Sequence, residues 1–152
     1  MNLRKVMLPL ACGAAILLSS CGKVVSYDEF HKAASEVKAA PYTSCVAKVD
    51  YKKNDTQIKG EAKFKVVLQV GDVKKWGSEE NSESAVIATL FINTTAAGVQ
   101  DYGEDAKYYL VGSSFRVEAT EKDDKTSAKF DKYGYCTEYK SNNGVIKFNW
   151  SK

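Results

Sequence analysis

The sequence predicts an α+β domain: an antiparallel sheet with an N-terminal helix and a middle helix packed on one face. Three observations carry that expectation. Ser26-Tyr27-Asp28-Glu29 fits the S-x-x-E pattern that opens a helix, and apolar residues follow at helical spacing. "EAKFKVVLQV", residues 61–70, alternates with a period of two, as a strand with one buried face does. The C-terminal third is a run of short alternating segments separated by turn residues.

Before the domain comes "MNLRKVMLPLACGAAILLSSC". Arg4 and Lys5 give a positive start, and Val6 to Leu18 form an apolar run of 13 residues. That is the layout of a secretory signal peptide. A spanning helix needs about 20 apolar residues, and Pro9 and Gly13 interrupt this run. The closing residues Leu18-Ser19-Ser20-Cys21 resemble the bacterial lipobox, a branched apolar residue and two small residues before a cysteine. The resemblance implies a diacylglyceryl group in thioether linkage to Cys21 and cleavage after Ser20. Cys12 is a poorer candidate, because Pro9 stands where the lipobox has leucine. Two acyl chains, at about 0.8 kcal/mol per buried CH₂, hold a protein stably on a membrane. The expected location is extracytoplasmic, lipid-anchored to the bacterial cell membrane, or to the outer membrane where the host has one.

Cleavage leaves 132 residues, the size of one domain, here 26–152. Residues 21–25 read as a lipidated tether too short to carry the domain far from the bilayer. The cleaved chain has 20 basic and 19 acidic residues, a balance that supplies no footprint for nucleic acid. A monomer is expected.

The first helix is expected over 27–39, with Asp28 and Glu29 in its first turn and Pro41 stopping it. "TSCVAKVDY" then places Cys45, Ala47, Val49 and Tyr51 on one strand face, and "NDTQIKG" supplies a turn. In residues 61–70, strict alternation puts Phe64, Val66 and Leu68 on one face. Residues 83–98, "ESAVIATLFINTTAAG", support either a buried strand or a helix; length and Ser82 as N-cap favour a helix over 85–97. Its apolar residues, Leu90 and Phe91 among them, span a wide arc. The remainder reads as a meander with inward Phe115 and Val117, a "DKYG" turn, and a last strand with Ile146, Phe148 and Trp150 on one face. Asn143-Gly144 is a hairpin signal.

Catalytic constellations are missing from this reading. His31 is the sole histidine, no G-x-S-x-G elbow occurs, and Glu79-Glu80 and Asp123-Asp124 sit in charge-rich turns. We expect neither an enzyme, a metal nor a cofactor. Export permits a Cys45–Cys136 disulfide, which would close a loop of about 90 residues worth about 4–5 kcal/mol. The alternative is that each thiol packs as a small hydrophobe.

A lipidated helix, long strands, a middle helix and a final meander holding "FDKYGYCTEYKSNNGVIKFNW" resemble the half-barrel fold of bacterial lipoprotein carriers and cell-surface lipoproteins. The resemblance implies a strongly curved sheet wrapping helices around an apolar cavity. It implies an apolar or amphiphilic ligand, lipid or glycolipid, against Phe64, Val66, Leu68, Leu90, Phe91, Phe115, Val117, Phe148 and Trp150. The competing expectation is a ligand-free interaction module that works through an exposed sheet face.

Overall fold

The computed structural model describes residues 22–152; the expected signal peptide, Cys12 and the lipidation site Cys21 lie outside the described residues. The elements are β1 (Lys23–Val25), α1 (Tyr27–Ser35), β2 (Ser44–Lys53), β3 (Thr56–Val70), β4 (Val73–Ser78) and α2 (Glu83–Ile92), followed by β5 (Ala106–Val111), β6 (Ser114–Glu121), β7 (Asp124–Phe130), β8 (Cys136–Ser141) and β9 (Gly144–Ser151). Two short 3₁₀ turns, Ala96–Gly98 and Gly103–Asp105, lie between α2 and β5. All nine strands join one open, curved antiparallel sheet in the order β1-β5-β6-β7-β8-β9-β2-β3-β4. With two helices on it, the domain is α+β.

The strands expected in the first half and in the meander are present, and β1, β4 and β5 are additional. "VKKWGS" and "AKYYLV" mix lysine into their apolar positions, which blurs their alternation. The expected tether is not a free linker: Lys23–Val25 is an edge strand, with Lys23 opposite Leu110 and Val25 opposite Tyr108.

Helix α1 opens as its sequence dictates. Ser26 Oγ accepts from the Glu29 amide at 3.1 Å. The reciprocal half of the capping box is absent, because Glu29 pairs with Lys23 Nζ at 3.1 Å instead. The helix ends at Ser35, short of the expected 39. Pro41 disfavours helical backbone at Ala40, and Val37 and Ala40 pack into the domain from non-helical chain. Phe30 anchors α1, fully buried with its ring edge-on to Phe115 at 5.7 Å and tilted against Tyr108 at 5.4 Å.

Helix α2 starts at Glu83 with Ser82 Oγ accepting from the Ala85 amide at 3.1 Å. It stops at Ile92, earlier than the expected 97, with Asn93 as C-cap. Asn93 turns back to β4, where its Oδ1 accepts from the Trp76 amide at 3.0 Å. Ala85, Ile87, Ala88 and Ile92 face the sheet and are buried.

Strand pairing gives the molecule two distinct ends. The start of β1, the β3–β4 and β5–β6 turns and the end of β9 lie at the Gly22 end. The β2–β3, β6–β7 and β8–β9 turns lie at the opposite end. Asn54 and Asp55, both at positive φ, make the β2–β3 turn. The β8–β9 turn centres on Asn142 and Asn143, one residue earlier than the expected Asn143-Gly144. Gly144 serves closeness instead, since a Cβ there would lie 2.1 Å from Asp50 O.

Two β-bulges set which side chains face inward. In β3, Val66 is opposite Trp76 but Leu68 is opposite Lys75, so Val67 is the extra residue. Gly77 accommodates it, because a Cβ there would be 2.6 Å from Val67 Cγ1. The bulge reverses the alternation beyond Val66, and Leu68, expected to face inward, is turned outward and 54% exposed. In β8 an extra residue between the Phe130–Cys136 and Lys129–Glu138 pairs lets Cys136 and Tyr139, three apart, share the inner face.

The core unites the inner faces of β2, β3, β6 and β9 with both helices. Phe148, 3% exposed, opposite Ala47 and with its ring 6.3 Å from that of Trp150, is part of it. Truncating Phe148 to Ala is expected to cost about 3–5 kcal/mol of unfolding free energy. Urea unfolding measures this, and a loss below about 1 kcal/mol would show that Phe148 lines open space.

Candidate functional site

The inner face is unevenly covered. Helix α2 lies over β2, β3 and β4, while α1 reaches β5. Phe91 of α2 reaches Tyr139 of β8 and Phe30 of α1 reaches Phe115 of β6, but between them the helices leave a cleft of about 430 Å³ over β6–β8. Leu90, Phe91 and Thr94 from the C-terminal half of α2 form one wall. Val117 and Ala119 of β6, with Ala128 and Phe130 of β7, form the other. Cys136 and Tyr139 of β8 complete the lining.

Aromatic packing braces one wall from behind. Phe91 and Tyr139 stack at 4.1 Å with 20° between ring planes, and Tyr51 backs Phe91 at 6.2 Å. The rim is the segment 99–105, held by two phenols. Tyr27 Oη donates to Val99 O at 2.9 Å. Tyr108 Oη donates to Gln100 O at 3.2 Å and accepts from the Tyr102 amide at 2.8 Å. Rings near 5.3 Å apart couple Tyr27 to Tyr108, so the rim is fixed to α1 and β5 together.

The cleft is polarised along the strands. Phe130 and Cys136, 2% and 1% exposed, form a buried floor toward the Gly22 end. Asp105, Thr120 and Glu121, all exposed, lie at its mouth toward the opposite end. Small side chains at Ala119 and Ala128 leave the space between. An apolar floor and an oxygen-rich mouth suit an elongated guest with an apolar body and a head that donates hydrogen bonds.

The lining carries no nucleophile–base pair. Burial pushes the Cys136 thiol up to about 12, so it stays protonated at neutral pH. His31 is exposed on α1 against Tyr27, away from the cleft. Among the described residues, no cluster of histidine, cysteine or carboxylates could hold a metal ion. Also among the described residues, no helix is long and apolar enough to cross a membrane.

Of the residues expected to hold a ligand, Leu90, Phe91 and Val117 line the cleft. Phe64, Phe115 and Phe148 are instead core residues, each at most 5% exposed. Val66 and Trp150 pack partly buried against that core, and Leu68 is on the outer face. Ala119, Ala128 and Tyr139 were not expected. Alanines carry no strand signal of their own, and Tyr139 faces inward only through the β8 bulge. Cys45 and Cys136 are free, buried thiols rather than a disulfide. They lie on β2 and β8 with β9 between them, a separation of about 9–10 Å at ordinary strand spacing, whereas a disulfide needs about 4.4–6.8 Å between Cα atoms.

Comparison with known proteins gives no match to any family model, curated protein or solved structure.

Cys45, Cys136 and Tyr139 share one titration behaviour. Burial is the main cause in each, pushing the two thiols from 9.0 and the phenol from 10.0 to about 12. A raised folded pKa contributes stability that is complete below the unfolded value and lost as pH rises through the folded one. The urea midpoint is therefore expected to hold steady up to about pH 9 and fall between about pH 9 and 12. A midpoint unchanged up to about pH 11 would show that these groups are solvated in the fold.

Proposed function

We propose that the protein is a lipid-anchored extracytoplasmic lipoprotein whose domain binds an apolar or amphiphilic ligand, a lipid or glycolipid, in the cleft beneath α2. In this reading the domain is a half-barrel carrier-like module and acts without catalysis. The observation that carries it is the unfilled inner face over β6–β8. A domain of this size ordinarily closes its core, yet here about 430 Å³ lies open between apolar walls. The two-sided character of α2 supports it as well: Ile87 and Ala88 are buried on the sheet, while Val86 and Leu90 are 47% and 68% exposed. The cleft's direction fits an anchored protein. With Cys21 acylated beside Gly22, the buried floor lies toward the anchored end of the strands and the mouth toward the other.

Acylation at Cys21 has a direct test. Replacing Cys21 with Ser should leave a precursor lacking the diacylglyceryl mass, and normal acylated protein from that variant would end the anchor reading. Ligand binding is tested by native mass spectrometry of the protein purified from membranes. We expect a non-covalent amphiphile adduct on the wild type and its loss in Ala119→Trp, which fills the cleft from an intermediate-exposure position. A ligand-free wild-type mass, with no thermal stabilisation by added lipids, would favour the ligand-free interaction module.

A further inference from the structure

We propose that the β3–β4 hairpin tip is a second membrane-binding element, seating its outer face on the bilayer that holds the anchor. Strand β3 runs to Val70, but its pairing with β2 ends at Lys65 opposite Ser44, so the hairpin overhangs the sheet. Exposed on the overhang are Val67 at 61%, Leu68 at 54%, Val70 at 69% and Val73 at 66%. They are half of the eight large hydrophobic side chains exposed among the described residues.

The β3 bulge gathers them. Without it, Leu68 and Val70 would continue the inward row of Phe64 and Val66. With Val67 inserted, Leu68 pairs with Lys75 and Val70 with Val73, on the side away from the core. The reversed register also has a use on the inner side, where Lys74 Nζ donates to Tyr42 O at 2.6 Å and Ala40 O at 3.1 Å. The hairpin is thus held to the domain by its inner side, and among the described residues nothing covers the apolar outer side, where Val67, Leu68, Val70 and Val73 stay more than half exposed.

Two observations select a bilayer as the occupant. First, the tip is at the same strand end as Gly22, where the chain leaves the described structure toward Cys21 one residue away, although β1 and β4 are opposite edges of the curved sheet. Second, exposed lysines stand just behind the apolar residues on the same outer side: Lys63 and Lys75, and Lys65, which is 3.9 Å from Glu79 Oε1. Apolar side chains backed by lysine are the pattern of an interfacial segment, in which long stems reach back to anionic headgroups. Asp72, in the turn, meets the headgroup layer when the hairpin lies on its outer face. The orientation argument rests on the proposed anchor; the apolar surface itself does not.

The test uses the acylated protein in vesicles of phosphatidylcholine and phosphatidylglycerol. An environment-sensitive fluorophore is attached at Leu68→Cys, with Lys53→Cys at the opposite end as control; Cys45 and Cys136 are buried and stay unlabelled. The label at position 68 should shift to the blue and be quenched by nitroxide-bearing lipid, and that at 53 should not. Val70→Asp with Val73→Asp, both at exposed positions, should speed transfer to acceptor vesicles about tenfold or more. A vesicle-bound protein with both labels in water overturns the proposal. A purified chain lacking acyl mass defeats the anchor alone. If such a chain, with Cys12 and Cys21 replaced by Ser so that only position 68 is labelled, and with vesicles in excess, still shows quenching at 68, the hairpin contact stands without the anchor; if it does not, the hairpin contact falls too.

Discussion

The Asp131 carboxylate fixes the connection on which the sheet's arrangement depends. Its Oδ1 accepts from the amides of Tyr133 and Tyr135 at 2.9 and 3.0 Å, and Oδ2 accepts from Tyr42 Oη at 2.6 Å. The first two bonds fold the "DKYG" turn, with Gly134 at φ 77°. The third ties that turn to the segment between α1 and β2, a contact 89 residues apart in sequence. Around it Tyr42, Tyr135, Trp76 and Trp150 interlock, with Trp150 within 4.9 Å of both Trp76 and Tyr135. Trp150 in turn donates Nε1–H to Cys136 O at 2.7 Å. One carboxylate and its aromatic shell therefore join β4, β8, β9 and the α1–β2 link at a single end of the molecule. Charge-assisted bonds are stronger than neutral ones, though here Tyr42 and Asp131 are only partly buried and keep some access to water.

That joint explains why a cleft exists. The aromatic shell fills the inner face near β4, β8 and β9, and α2 finishes the cover over β2 and β3. Phe30 and Tyr108 close the side near β5. What is left is the stretch of β6 and β7 with small inward residues, Ala119 and Ala128. Large side chains there would have completed the core. Their absence, together with a rim pinned by Tyr27 and Tyr108, keeps the space open without leaving the backbone loose.

Elements with regular patterning were legible in the sequence; those governed by a register change were not. The capped start of α1, the alternation through Phe64 and Val66, and the final strand with Ile146 and Phe148 follow from side-chain periodicity alone. Leu68 did not, because a bulge is a one-residue event that leaves the sequence alternation unbroken while reversing the face. Tyr139 was missed for the same reason on β8. β4 and β5 were missed because lysines occupy their alternate positions, and one of them, Lys74, faces inward to carbonyl oxygens instead of solvent. The cleft was half legible. The two-sided apolarity of α2 pointed to Leu90 and Phe91, but which sheet residues oppose them depends on strand order, which periodicity does not encode. Phe64, Phe115 and Phe148 share a face with the cleft, yet they are buried in the core beside it.

The two bulges have opposite consequences, and together they divide the molecule by polarity. The β8 bulge draws Tyr139 inward to stack on Phe91, adding an apolar wall to a protected interior. The β3 bulge pushes Val67 and Leu68 outward, which burial alone would oppose. Leaving about four such side chains in water forgoes roughly 1.5–3 kcal/mol apiece relative to burying them. A fold can retain that loss where the exposed surface is covered in its working state. The exposed tip lies at the Gly22 end and the mouth of the cleft at the other. The exposed apolar tip and the opening of the cleft are thereby kept at opposite ends of one sheet.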